Sequence, residues 1–500
     1  MDYFQILCAI GAAFLAIYYY YISTHDHWKN RGIPGPKPTV FVGNFLEILT
    51  GKMSISDKVK QLYDEYKREP IFGIFEGRVP VLVINDLNMI QDVLVSDFTV
   101  FADRGFPIFP KAEPLGEHLF ALEPKRWRPL RMKLSPTFTS GRLKEMFPLV
   151  VECAGNLEKY LDRVAKRNDP VECREVAAKF TTDVIGSCAF GISMNALSNE
   201  ESEFRKMGKR LFMPCLKQSL RDMCRQFMPF VYNQFGSALQ PEGVDQFLKN
   251  VVRDTMKYRE ENNITRPDFI NTLIELKNHP DKLENVELTN ALLTAQAFVF
   301  FAAGFETSST TMAHALYELA QHQDIQDKLR EEIRETYQKN DGVLTYQAIK
   351  DMKYLDKVFK ETLRKYPVLP LLTRNASEKY TFKGTKITVE KGTKLWIPVY
   401  GIQKDPNVYP DPENFDPERF NDVAEATRHP MAYLPFGSGP RNCIGSRFAY
   451  YQSKVGITTI IRNHKVNLCE ETLMPYKSEP RLFLLAPRKG MYLKITNCKA

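Results

Sequence analysis

The stretch that decides how this chain folds is LPFGSGPRNCIG, residues 434–445. Three glycines, Gly437, Gly439 and Gly445, and the arginine Arg441 surround one thiol, Cys443. Glycine lets a backbone turn through positive φ or come close to another group, so the pattern describes a loop built to present sulfur. Just downstream a helical pattern runs to about residue 463. Cys443 therefore precedes a helix N-terminus, where the local field favours a thiolate. Zinc would need three more Cys or His ligands at short spacing, and the eight histidines show no such pattern. No cysteine-peptidase signature supplies a paired histidine. The glycines miss the G-x-G-x-x-G spacing, and no βαβ unit surrounds them.

The chemistry left for Cys443 is a thiolate ligand to haem iron. Glycines would let the loop approach a flat porphyrin and turn backbone N–H groups toward sulfur, and Arg441 would reach a haem propionate. Composition is consistent with a protein that encloses such a group. Of the 500 residues 44% are hydrophobic, with 33 Phe and 23 Tyr, enough for a large apolar interior or cavity. A net charge of +8 is modest at this length and does not point to nucleic acid. Nine cysteines without a CxxC read as reduced, mostly buried thiols.

Further out, YFQILCAIGAAFLAIYYYYI, Tyr3–Ile22, carries no charge and is long enough to span a bilayer as a helix. Lys29, Arg31 and Lys37 follow it, which puts the body on the cytosolic side. The sequons at Asn263 and Asn375 are accordingly expected to stay unmodified. The reading divides the chain into a transmembrane signal anchor at 1–23, a linker at 24–38 ending in the stiff Pro-rich hinge GIPGPKP, and a catalytic domain at 39–500. IFGIFEGRVPVLVIND reads as a β-hairpin around Glu76-Gly77-Arg78. Residues 140–360 are mainly helical, with loops at 191–200, 260–268 and 336–344. A small β region follows at 372–399, then an irregular Pro-rich stretch at 403–420, and RLFLLAPRKGMYLKI is expected to close the chain as strands. The fold class is mainly α with small β-sheets, one intertwined domain behind a transmembrane helix.

FGSGPRNCIG resembles the F-x-x-G-x-R-x-C-x-G motif of the cytochrome P450 family, the haem-thiolate monooxygenases, through Phe436, Gly439, Arg441, Cys443 and Gly445. Three segments agree in family order. AGFETSS, in an apolar helix over about 287–320, is similar to A-G-x-[DE]-T-[TS]. The resemblance implies that Gly304 opens the helix ladder, Thr307 offers its hydroxyl to dioxygen and Glu306 relays protons. ETLR and PERF give Glu361, Arg364 and Arg419, which resemble the family's buried structural cluster. WRPLR gives Trp127 and Arg131, and with Arg374 these are implied to hold haem propionates. A helix starting near Arg126 would place Pro129 harmlessly in its first turn; a longer helix would kink there and weaken the Arg131 assignment.

LSPTFTSGRLK, AAGFETSS and DPERF make the chain most like insect microsomal members that oxidise plant toxins and insecticides. The resemblance implies haem b with thiolate ligation, electrons from NADPH through a flavoprotein reductase, and a place in the endoplasmic reticulum membrane. Lys125, Arg126, Arg128, Lys133, Arg142 and Lys144 form a candidate basic patch for that reductase. By family position the substrate site draws on Phe106, Phe120, Phe298, Phe301, Ala302, Leu369, Leu371 and Phe483, and on residues near 205–215 including Phe212. The Phe-rich stretch 211–235 is expected to dip into the membrane. Three alternatives stay open. One is a haem-thiolate isomerase or dehydratase, which usually lacks the acid–Thr pair; another is a hydroxylase of endogenous lipids or hormones; the third is a non-catalytic haem or small-molecule binding protein, which would leave the acid–Thr pair, the apolar N-terminal segment and the basic patch unexplained. Gln403, at a position where that insect branch often has His, is given no functional role.

Overall fold

A computed structural model describes residues 3–198, 202–212, 215–279 and 286–498. The N-terminal helix (Tyr3–Ile22) has no buried residue, and its length of about 30 Å and its apolar composition would suffice to cross a bilayer's hydrocarbon. The linker behind it does not swing free. Trp28 is 4% exposed, and its indole N–H donates to the Ile74 carbonyl at 3.1 Å. Its ring lies against Gly73, where a Cβ would come within 2.2 Å of it. The hinge is therefore seated on the body.

The sheet under Trp28 joins distant parts of the chain. β1 (Ile71–Glu76) and β2 (Val79–Ile84) form the expected hairpin, turning at Gly77 with φ 62°. β3 (Pro170–Glu172), β4 (Leu372–Asn375), β5 (Tyr380–Thr381), β6 (Thr388–Val389), β7 (Lys394–Ile397), β8 (His464–Asn467) and β9 (Tyr492–Asn497) follow. β7 lies parallel to β2 and antiparallel to β4, giving the order β1-β2-β7-β4. A second sheet runs β3-β9-β8, and β5 pairs with β6. The closing segment departs from expectation: only Tyr492–Asn497 of it is strand. Pro480 and Pro487 offer no N–H for a ladder, and Gly490 sits at φ 84°, so residues 481–490 turn instead.

Between the sheets lie the helices. The central helix (Asn290–Gln321) is capped by Thr289, whose hydroxyl accepts from the Leu292 N–H at 3.0 Å. It is apolar nearly all round and more than half buried, so its length and composition reflect a core position rather than a second span. It packs on the helix Cys173–Ile185 and on the helix that follows the cysteine loop, Ser446–Asn463. The helix Lys353–Lys365 lies against it and also packs on the turn Pro417–Phe420 of the Pro-rich stretch.

Candidate active site

The cysteine loop is closed by its own backbone. The N–H groups of Gly437, Asn442 and Cys443 donate to the carbonyls of Leu434, Gly439 and Phe436 at 2.9–3.0 Å. Gly437 and Gly439 have φ of 68° and 71°, which L side chains seldom adopt. The glycines divide their work. Gly437 and Gly445 line the cavity beside Cys443, where added Cβ atoms would meet open space or only the Leu372 side chain at 3.7 Å. Gly439 does not line it; its Cβ would fall 1.8 Å from the Leu94 carbonyl oxygen. That glycine lets two backbones touch. Enclosure raises the Cys443 thiol above its ordinary value, opposed by the Gly445 backbone N–H, then Arg131 and Arg104.

The same cavity is lined by Val299, Phe300, Ala303, Gly304 and Thr307 of the central helix. Thr307 Oγ1 donates to the Ala303 carbonyl at 2.7 Å. Glu306 stands outside the cavity. It is 2% exposed and ion-paired with Arg174, because one residue along a helix turns the side chain by about 100°. At Gly304 the helix runs on, the Cβ position is taken by Ile185 at 2.3 Å, and the carbonyl accepts from Gln452 Nε2 at 3.1 Å.

Of the substrate positions expected from family order, Phe106, Phe120, Leu369, Leu371 and Phe483 line the cavity. Phe298, Phe301, Ala302 and Phe212 do not. Phe301 is fully buried among Phe190, Phe204 and Phe305, Phe298 faces His118, and Phe212 packs edge-on to Phe305. Ala302 is buried away from the cavity. Residues 213 and 214, within the expected 205–215 segment, lie outside the described residues.

Four arginines converge on the cavity: Arg104, Arg131, Arg374 and Arg441. Arg131 donates to the Asn442 carbonyl and Oδ1 at 2.9 and 3.0 Å. Its helix (Pro124–Leu134) starts two residues before Arg126, which puts Pro129 beyond the first turn. Trp127 and Arg131 nevertheless both reach the cavity. Arg441 is held by the carbonyls of Ala102 and Leu122, at 2.8 and 2.6 Å, with its guanidinium 4.2 Å from the Trp127 ring centroid. Arg104 donates to the Phe120 and Arg441 carbonyls. None of the four is ion-paired with a carboxylate among the described residues. Burial, then neighbouring guanidinium groups, lowers Arg104, Arg374 and Arg441 to about 9. Arg374 Nε is buried without a partner. Buried cations without counter-charge call for an anion, so a thiol, apolar walls and unmatched arginines together fit a haem whose propionates complete the charge.

Behind the loop, Glu361 and Arg364 are fully buried and joined by two hydrogen bonds of 2.7 and 2.8 Å. Arg419 Nε lies 3.6 Å from Glu361, and Arg419 Nη2 donates to the Asp411 carbonyl at 2.7 Å. Sequence reasoning passed over two residues here and at the cavity. Arg104 carried no motif to mark it. Gln403 is wholly buried; its Nε2 donates to the Leu363 and Arg364 carbonyls at 2.9 and 3.0 Å, and its Oε1 accepts from the Leu434 N–H at 2.8 Å. It ties the Glu361 helix to the first residue of the cysteine loop. Its place just before Asp-Pro was the available signal.

Loop, cavity and ion-pair cluster define a haem-thiolate monooxygenase, and the chain belongs to the cytochrome P450 family, whose profile matches residues 33–494. Its insect relatives include the probable cytochrome P450 6a21 of Drosophila melanogaster, 40% identical over 94% of this chain and 95% of that protein. Cytochrome P450 6a2 of the same species is 40% identical over 95% and 96% of the two chains. Cytochrome P450 6A1 of Musca domestica is 39% identical over 98% and 97%. Haem is the family's cofactor, and Cys443 is the cysteine of its motif.

Proposed function

We propose that this enzyme is held in the endoplasmic reticulum membrane by residues 1–23, with residues 39–500 as its catalytic domain. It takes electrons from NADPH through a flavoprotein reductase and inserts one oxygen atom of dioxygen into lipophilic small molecules such as plant toxins or insecticides. The observation that carries this reading is the single apolar cavity lined by both Cys443 and Thr307 and walled by Phe106, Phe120, Phe300 and Phe483. Haem bound there supplies the oxidising chemistry, with thiolate donation favouring cleavage of the O–O bond. Cys443 holds the iron, and Arg104, Arg131, Arg374 and Arg441 hold the propionates. The phenylalanines exclude water from the substrate. Thr307 Oγ1 holds the proton nearest the substrate space. Glu306 supplies protons to it only when its carboxylate leaves Arg174.

Docking of the reductase on the cysteine side is supported by Lys125, Arg128, Lys133 and Lys144, exposed and without ion pairs among the described residues. Arg126 is neutralised by Glu117 and Glu123, and Arg142 pairs with Glu145. The patch adjoins the cysteine loop through the bonds of Arg131 to Asn442. Membrane contact by the stretch 211–235 is supported by Leu216, Phe230 and Phe235, each more than 70% exposed.

The Glu306–Arg174 pair favours a second reading, an isomerase or dehydratase that needs no reductase. Purified enzyme, reductase, NADPH and a panel of lipophilic compounds separate the two. Substrate-dependent NADPH consumption that slows as salt rises is expected, and Thr307→Ala is expected to divert most of that NADPH to peroxide. Product formation without NADPH would favour the second reading, and full coupling in Thr307→Ala would remove Thr307 from the proton path.

A further inference from the structure

The central helix serves a second cavity that no step above uses. About three turns beyond Thr307, the side chains of Tyr317, Glu318 and Gln321 line a space of about 440 Å³, closed by the end of the helix Lys353–Lys365, by Tyr400 and Lys404, and by residues 474–480. That volume takes a drug-sized molecule, for which roughly 300–1,000 Å³ is usual. His314 lines neither cavity, and its ring stacks at 4.4 Å on Tyr366, which lines the second. The two cavities share no lining residue.

The lining has a definite chemistry. Four tyrosines, Tyr317, Tyr366, Tyr400 and Tyr476, give it aromatic walls. Its charged side chains are five cations and three carboxylates. The inner cations are matched: Lys365 by Glu318 and Lys404 by Glu413, both at 2.8 Å. Asp57 is taken up by the hydroxyls of Ser54 and Ser478. The outer ones, Lys52, Lys477 and Arg488, are exposed and have no carboxylate partner among the described residues. The Tyr400 hydroxyl likewise has no hydrogen-bond partner there. A flat ring with one negative group would pack on the tyrosine walls and set its charge beside these cations, a charge-assisted contact that a neutral molecule cannot make.

We propose that this cavity is a second small-molecule site, for a planar aromatic anion such as an aromatic carboxylate, with its ring among the tyrosines and its charge at Lys52, Lys477 and Arg488. The test uses the full-length haem-loaded enzyme with a haem-ligating azole saturating the active site, titrated with 2-naphthoate by calorimetry and tyrosine fluorescence. Saturable binding of one 2-naphthoate per chain is expected, at least about tenfold weaker in the triple variant K52Q/K477Q/R488Q and weakened in Arg488→Glu alone. These side chains are exposed and unpaired, so the variants should keep the parent's circular dichroism and haem spectrum. Absence of saturable binding once azole is bound would overturn the proposal, and so would equal affinity in parent and variants.

Discussion

At Gly439 one methyl group would come 1.8 Å from the Leu94 carbonyl oxygen, at a backbone φ of 71°. Neither backbone can yield without moving the cysteine loop or the chain beside it. Gly439→Ala is therefore expected to destabilise the fold by roughly 3 kcal/mol or more; Gly445→Ala, with no other protein atom within 4 Å, should leave the fold as stable as the parent's. Thermal unfolding of the two variants distinguishes them. The loop's composition marked all three glycines alike, as if each faced the porphyrin. Spacing shows that a glycine is wanted, whereas only the fold shows whether the neighbour is a ligand or another stretch of chain. Glu306 and Thr307 are a similar case. Adjacent letters in one motif are thrown to different sides of a helix, one into the cavity and the other onto Arg174.

Among the elements, the central helix was legible in type and near its true bounds, but not in orientation. Phe298, Phe301 and Ala302 were expected in the cavity, and Val299, Phe300 and Ala303 are there. A helix that is apolar nearly all round has no polar stripe to say which face looks where. The Glu361–Arg364 pair was legible from its i,i+3 spacing and context, whereas the clamp that joins it to the cysteine loop was not. Gln403→Ala would leave two carbonyls and the Leu434 N–H without partners in the core. A loss of roughly 2–4 kcal/mol is expected, read by urea unfolding followed at the haem band. An unchanged midpoint would show that the clamp bears no load.

For the whole molecule, the apolar N-terminal helix and the hairpin at 71–84 are legible in the sequence, while the four-stranded sheet that unites residues 71–84 with 372–397 rests on pairing across some 300 residues that no local pattern encodes. That sheet also receives Trp28, so the boundary of the stable body falls earlier than the hinge suggests. Truncation before Thr24 should leave stability unchanged. Truncation before Ile33, which removes Trp28, should cost roughly 3–5 kcal/mol; thermal unfolding of the two soluble forms checks it, and equal stability would contradict the docking.

The account as a whole turns on one atom, Cys443 Sγ, as the iron ligand. The most direct measurement is the absorption spectrum of the reduced protein under carbon monoxide, taken for the parent and for Cys443→Ala. The parent should show the strongly red-shifted Soret band of thiolate ligation, and the variant should lack it. A parent spectrum of the unshifted type, or a red-shifted band that persists in Cys443→Ala, would contradict it.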